Sequence, residues 1–296
     1  SVNLTVAEGE TVGVVGESGS GKSVMAYAIM GLSDRAGRMP TGEIVFDRRR
    51  IDRLSEREFR RLRGPEMSMV FQNTRSALNP IRSVGDQLMD VVRAHRGLDR
   101  AAARAEAVAM LAQVRIPDPE TRLAAYPFEL SGGMCQRVMI ALALACAPRL
   151  IIADEPTTGL DVTTQAVIMD LLDGLAQERG MAAIFITHDL ALAAEHCDRI
   201  VVMHAGQVVE TATPDRLFAA PAHPYTRQLA RSTPGEATTI ETLETVPGNL
   251  PDLTAETLPA CRYALRCPLA EPRCHAERPP RVVPAEGHET WCWNPA

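Results

Sequence analysis

This 296-residue sequence predicts an α/β fold: a core with a mostly parallel sheet, an antiparallel β subdomain, an all-helical insertion and a cysteine-containing, loop-rich C-terminal extension. Three observations carry the prediction. Short apolar runs recur along the first two thirds, each followed by turn or helix signals, as buried parallel strands are. A long middle stretch, about residues 76–147, reads as helical. Twelve of the 21 prolines fall between Pro221 and Pro295, which makes the tail rich in turns. The expected domains are residues 1–220, with the helical stretch inside them, and an extension over 221–296.

The elements follow in order. "TVGVVG" (Thr11 to Gly16), "MSMVF" (Met67 to Phe71), "LIIAD" (Leu150 to Asp154) and "AIFIT" (Ala183 to Thr187) read as core strands. "RIVVM" and "QVVET" flank "HAG" (His204 to Gly206) as a hairpin. Within the helical stretch, Ala105, Val108, Leu111 and Ala112 form one stripe, and Pro117 and Pro119 end that helix. After Asp161, Val167, Ile168, Leu171, Leu172 and Leu175 form one face of another.

Composition excludes several classes. An apolar fraction of 46% suffices for a large core, and a net charge of −6 supplies no basic field for nucleic acid. The basic run "FRRLR" (Phe59 to Arg63) reads as a solvated helix face. "VMIALALACAP" (Val138 to Pro148) is an uncharged run, but a bilayer span needs about 20 residues. It predicts a buried helix. The chain enters a strand almost at once without an initial Met, so it reads as trimmed at its start and shows no signal-peptide pattern.

"GESGSGKS", Gly16 to Ser23, follows one strand and opens a helix, and it fits G-x-x-x-x-G-K-[ST]. Glycines at 16, 19 and 21 let the backbone of Glu17, Ser18 and Ser20 curl so that N–H groups face a phosphate. Lys22 brings charge to the β- and γ-phosphates, and Ser23 brings a hydroxyl to Mg²⁺. "LIIADEP" delivers Asp154, a Mg²⁺ ligand through water, and Glu155, a general-base candidate, to a strand end. Together these residues describe a P-loop NTPase. Gln72 and His188 each follow a predicted strand, where they can sense Mg²⁺, the attacking water or the γ-phosphate. Ser131, Gly132 and Gly133 open a further helix, a second phosphate-ready N-terminus for which one nucleotide has no need.

With "GESGSGKS", Gln72, "LSGGM", "LIIADE", "TTGLD" and His188 in this order, the chain resembles the ATPase subunits of ATP-binding-cassette transporters. The resemblance implies ATP and Mg²⁺ as cofactors and a head-to-tail dimer. In that dimer Ser131–Gly133 would close on nucleotide held by the partner's loop, with Asp161 at the seam. "HPYTRQL" (His223 to Leu229), "PGNLP" (Pro247 to Pro251) and Met134 narrow the resemblance to the peptide and nickel importer subfamily. Cys135 stands where a basic residue is usual and Phe128 where His is common, and the adenine-stacking residue would precede Ser1. The implied function is ATP-driven import of di- and oligopeptides, with nickel or a metal chelate as the alternative cargo and a soluble non-transport cassette as a more distant one. The implied partners are two permease subunits, a second ATPase subunit and an extracytoplasmic binding protein, at the cytoplasmic face of a bacterial inner membrane.

Four of the seven cysteines, Cys261, Cys267, Cys274 and Cys292, lie in the last 36 residues. A reducing compartment disfavours disulfides, and a loop-rich tail benefits from a staple more than from free thiols. Zinc suits four thiolates, but the gaps match neither short zinc knuckles nor ferredoxin spacing, so spacing leaves the matter open. The resemblance implies a [4Fe–4S] cluster on these four, which would be structural, and His275 and His288 lie close enough in sequence to substitute as ligands.

Overall fold

The structure, a computed structural model, describes residues 2–33, 39, 41–73, 77–233, 245–255 and 257–295. Ser76, where the helical stretch is predicted to begin, lies outside them. The strands are β1 (Thr11–Val15), β2 (Val45–Phe46), β3 (Arg49–Arg50), β4 (Met67–Val70), β5 (Leu150–Asp154), β6 (Ala182–Thr187), β7 (Arg199–His204), β8 (Gln207–Ala212), β9 (Arg281–Ala285) and β10 (His288–Trp291). The chain forms two compact units: Ser1–Val6, Glu10–Met25 and Phe185–Ala296 make the first, Ala7–Gly9 and Ala26–Ile184 the second.

In the first unit the strand order is β1-β7-β8-β10-β9. β1 and β7 run parallel, with Val12 opposite Arg199 and Val15 opposite Val202. Their side chains are buried on both faces, which is why they read as unbroken apolar runs. β7 and β8 form the predicted hairpin, turning at Ala205 and Gly206, both at positive φ. β10 then pairs antiparallel with β8 and β9 with β10, so the tail predicted as loops contributes two strands to this sheet. The inward residues of β10 are His288 and Thr290. No apolar alternation marks the strand, and polar bonds anchor it instead. β9 is exposed and carries Arg281 and Pro284, residues suited to a sheet edge.

In the second unit β4 and β5 run parallel, Met67 opposite Leu150 and Val70 opposite Ala153. The small antiparallel pair β2–β3 belongs to the same unit. The predicted helical stretch resolves into helices Val84–Arg96, Arg100–Gln113, Pro119–Arg122 and Gly132–Leu144, separated by turns. Ser83, Asp99 and Ser131 cap three of them through their side chains. In Arg100–Gln113 the buried stripe is Ala103, Ala107, Met110 and Leu111, while Ala105 and Ala112 are exposed. That corrects the predicted stripe. Alanines occur all round this helix, and only the long residues could choose its face. Helix Val162–Arg179 buries Ile168, Leu171, Leu172 and Leu175 as expected and adds Met169 and Ala176, while Val167, placed on the same face, is only half-buried.

A buried polar network ties the extension to the first unit. The Glu210 carboxylate on β8 is fully buried. It accepts the N–H of Ala222 at 2.8 Å and of His223 at 2.7 Å, and meets His288 Nε2 at 2.7 Å. Beside it, the His204 ring packs edge to face on Tyr225 and Tyr263 at 4.7 and 5.2 Å between centroids, the two tyrosines lie tilted at 5.3 Å, and His223 lies 5.8 Å from Tyr263.

Two predictions follow from this network. Glu210→Ala should lower the unfolding free energy by roughly 3–5 kcal/mol, because buried donors lose their only charged acceptor; a urea midpoint indistinguishable from the parent's would contradict this. The second concerns acid. Burial, then the Arg266 and Arg262 charges, hold His204 down at about 3, and burial holds His223 at about 3. Both rings are neutral in the fold, whereas the unfolded chain takes up their protons below about 6.5. The unfolded state therefore binds more protons between about 6.5 and 3, and stability should fall as pH drops through that window. Urea unfolding from pH 7 to 4 should show the decline, with a shallower slope for His204→Gln.

Candidate functional site

The glycine-rich loop lies in the first unit, between β1 and helix Lys22–Ile29. Gly16 leaves the strand at φ +154°, and a Cβ there would stand 2.1 Å from the Met203 carbonyl oxygen. Only glycine fits that turn. Gly19 and Gly21 also have positive φ, +82° and +98°, so side chains at the key bends would be strained. The Ser20 N–H closes a turn onto Glu17 O at 3.1 Å, and Gly206 N–H donates to Ser20 O at 2.7 Å. The hairpin of β7 and β8 thus braces the loop from behind.

Lys22 is only 4% exposed. Its ammonium donates to Gly16 O at 2.7 Å and Glu17 O at 3.0 Å, and reaches Ser20 Oγ at 3.5 Å. A buried ammonium must be hydrogen-bonded to remain charged. The loop supplies those acceptors and holds the ammonium at a helix N-terminus, where phosphate oxygens are favoured. Glycine bends that leave the backbone uncovered, a positive helix end and this ammonium fit a nucleotide polyphosphate. Ser23 follows Lys22 in the same first turn. His188, also in the first unit, follows β6 on the exposed surface, ahead of Asp189, whose side chain caps helix Leu190–His196.

The second unit brings Gln72, Asp154 and Glu155 to the ends of β4 and β5. Asp154, the last residue of β5, is fully buried. Glu155 turns the chain at φ +45°, the left-handed region, which a non-glycine residue adopts at a cost. Its Oε2 accepts from Gln72 Nε2 at 3.0 Å and from Thr158 Oγ1 at 2.9 Å. The strained turn and two donors hold this carboxylate in one orientation, as a general base requires. The pairing with Gln72 spans 83 positions of sequence and joins two residues the sequence selected separately.

Ser131 caps helix Gly132–Leu144, its Oγ accepting from Met134 N–H at 3.3 Å. A Cβ on Gly133 would approach Thr164 Cγ2 to 3.0 Å. Asp161 caps helix Val162–Arg179, accepting from Thr164 N–H at 2.9 Å and Oγ1 at 2.7 Å, and these bonds lower its pKa. Cys135 is buried with its thiol on Pro127 O at 3.3 Å, whereas Phe128 is 74% exposed and stacked on Tyr126.

The cysteine expectation does not hold. Among the described residues no three or more His, Cys, Asp or Glu side chains are grouped to hold a metal ion. The [4Fe–4S] cluster and the zinc alternative are both set aside. Cys261, Cys267, Cys274 and Cys292 do line one cavity, with Tyr263, Leu269 and Trp293. Lining a cavity does not by itself aim four donors at one point. Burial pushes the Cys261 thiol up to about 11 and raises Cys267 and Cys292. His288 is engaged by Glu210 and is no substitute ligand.

Sequence reasoning missed Tyr225 and Arg266. Tyr225 Oη accepts the Glu17 N–H at 3.1 Å, and Arg266 grips the Glu17 carboxylate at 2.9 and 3.0 Å. Arg266 is 249 positions from Glu17, and no local pattern announces such a pair.

Two family models match the chain: one described as ABC transporter over residues 1–158, and one described as oligopeptide/dipeptide transporter, C-terminal region, over residues 209–274. The dipeptide transport ATP-binding protein DppD of Escherichia coli (strain K12) is 48% identical over 294 residues, 99% of this chain and 90% of that protein. The oligopeptide transport ATP-binding protein OppD of Salmonella typhimurium is 45% identical over 295 residues, 99% of this chain and 87% of that protein. Among solved structures, the dimeric post-hydrolysis state of the ATP-binding cassette MJ0796, bound to ADP and Pi, matches with a TM-score of 0.65 and 32% identity over 72% of this chain and 89% of that one. Matched by one family model from residue 1 to 158 and by relatives along nearly its whole length, this chain belongs to the ABC transporter family, as one of its ATPase subunits.

Proposed function

We propose that this chain hydrolyses ATP to power the import of di- and oligopeptides through a membrane permease. The observation that carries the chemistry is the Glu155 carboxylate, held by Gln72 and Thr158 at the end of β5 in a chain that also builds a buried-lysine phosphate loop. The cargo reading rests on the relatives, which are named for dipeptide and oligopeptide transport, and on the match of residues 209–274 to the C-terminal region of such transporters.

Each group then has a role. The loop from Gly16 to Gly21 wraps the β- and γ-phosphates and the Lys22 ammonium neutralises charge there; the Glu17 and Ser20 N–H groups, expected to face a phosphate, are instead taken by Tyr225 Oη and Glu17 O. Ser23, Gln72 and Asp154 each offer an oxygen donor of the hard kind that would suit Mg²⁺. Gln72 commits its amide nitrogen to Glu155 and leaves its carbonyl oxygen as the ligand atom. When bound, Mg²⁺ supplies charge stabilisation to the phosphates. Glu155 takes the proton of the attacking water, and His188 orients the γ-phosphate. Ser131, Gly132 and Gly133 serve the nucleotide of a second cassette, with Asp161 beside that contact; their place at the start of helix Gly132–Leu144 supports this reading.

No described helix is long and apolar enough to cross a membrane, and members of this family work with membrane permease subunits. The full assembly we propose holds two permease subunits, a second homologous ATPase subunit and an extracytoplasmic substrate-binding protein, with this chain at the cytoplasmic face of a bacterial inner membrane. Residues 1–220 act as the cassette and 221–296 as its extension.

Glu155→Gln keeps Lys22 and the loop but removes the base. In the assembled transporter, ATP hydrolysis should fall by about 10²-fold or more while ATP binding persists; turnover near the parent rate would remove Glu155 from the role. Ser131→Arg should leave labelled ATP bound at the chain's own Lys22 site and abolish the nucleotide-dependent dimer, read by sedimentation. Full hydrolysis by a monomer would rule out action across the dimer.

A further inference from the structure

Glu17 is an odd residue for a loop that binds polyphosphate, because its carboxylate adds negative charge beside the anion. The fold treats it as an anchor. Its N–H is accepted by the buried Tyr225 Oη at 3.1 Å, its carbonyl accepts from Lys22 Nζ at 3.0 Å and Ser20 N–H at 3.1 Å, and its carboxylate meets Arg266 in a two-pronged ion pair at 2.9 and 3.0 Å. Every polar group of Glu17 is held, and the two charged partners come from far apart in the chain.

Arg266 is itself fixed. Its side chain is 5% exposed, against 26% for Glu17. Nε donates to Pro247 O at 2.6 Å, and Nη1 lies 3.2 Å from His204 Nε2. His204 faces two arginines in its buried pocket and stays neutral, so its ring nitrogen accepts rather than competes. The guanidinium also lies over the Tyr263 ring, 5.8 Å from its centroid. From the same segment as Pro247, Leu250 Cδ1 comes within 3.4 Å of where a Cβ on Gly19 would stand. A neighbouring arginine, Arg262, donates through Nη1 to Ala205 O in the hairpin turn that braces Ser20, and its N–H donates to Gln207 Oε1 at 3.1 Å. The C-terminal extension therefore grips the phosphate loop both directly and through the hairpin.

We propose that Arg266 is a positioning residue for nucleotide binding: from the C-terminal extension it neutralises and orients Glu17, so that the loop presents ATP with the charge of Lys22 rather than with a carboxylate. The proposal deepens the ATP-binding reading and rests on it. Bidentate geometry makes arginine specific here, since lysine offers charge without the planar fork. Removing Arg266 leaves the Glu17 charge partly buried and unpaired next to the phosphates. The penalty should scale with the charge of the ligand, greater for ATP than for ADP. It should vanish when the carboxylate is removed as well.

The test is equilibrium dialysis of the full chain with labelled ATP and ADP in Mg²⁺, with thermal unfolding recorded for every variant. Lys22→Ala is the control for the ATP-binding reading. If the parent chain does not bind ATP, or Lys22→Ala binds as the parent does, that reading fails and this one with it. With the control behaving as expected, Arg266→Met should weaken ATP binding about tenfold and ADP binding less, and Arg266→Lys should fall between. In the Glu17→Gln background, adding Arg266→Met should change ATP affinity by less than about threefold, the non-additivity expected of a direct pair. A purely structural role would lower ATP and ADP binding alike and persist without the carboxylate, and that result would overturn the proposal. So would parent-like ATP affinity in Arg266→Met. Should Arg266→Met fail to fold, the Arg266→Lys pair of measurements, with and without Glu17→Gln, decides in the same way.

Discussion

A buried ammonium needs acceptors, and Lys22 finds them in the loop to which it belongs. It donates to Gly16 O and Glu17 O at 4% exposure. The rest of the first unit can be understood as support for that arrangement. Gly16 must be glycine because Met203 O leaves no room for a Cβ. Gly206 at the hairpin turn must reach Ser20 O. Glu17, whose carbonyl serves Lys22, has its own N–H and carboxylate taken by Tyr225 and Arg266. The chain of support runs from the loop through the hairpin into the extension, and each link satisfies a polar group that burial would otherwise penalise.

The second unit solves a different problem. Glu155 leaves β5 through a strained turn at φ +45°, and its carboxylate accepts from Gln72 and Thr158. These constraints orient the carboxylate for the general-base role proposed for it. The same unit places Ser131 and Asp161 at helix starts, where each accepts backbone N–H groups. Both residues therefore have a local structural duty in addition to the role proposed for them in a dimer.

The extension shows how a segment with few apolar residues can still dock. β10 is held by Glu210 against His288 and by Thr290 Oγ1 on Val209 O, and the aromatic cluster of Tyr225 and Tyr263 covers the histidines. These contacts, together with Arg262 and Arg266, tie the extension to the sheet and to the phosphate loop. The cysteines then read as part of the lining of a small apolar cavity. Crowding four of them into 36 residues suggested a ligand set, but spacing along a chain does not specify where sulfurs point, and only convergence makes a site.

Local patterns determined much of this protein. The strand runs, the hairpin at His204–Gly206, the helix starts at Ser131 and Asp161, and the phosphate loop were legible because each depends on near neighbours: glycine at positive φ, caps within three residues, apolar runs of strand length. The adjacent carboxylates of Asp154 and Glu155 were legible for the same reason. Tertiary structure decided what depends on distant partners. It chose the buried face of Arg100–Gln113, where alanines left the pattern ambiguous. It built strands β9 and β10 on polar rather than apolar alternation. It joined Gln72 to Glu155 across 83 positions and Arg266 to Glu17 across 249, because an ion pair or hydrogen bond depends on where the fold brings its two ends and leaves no periodic trace in the chain.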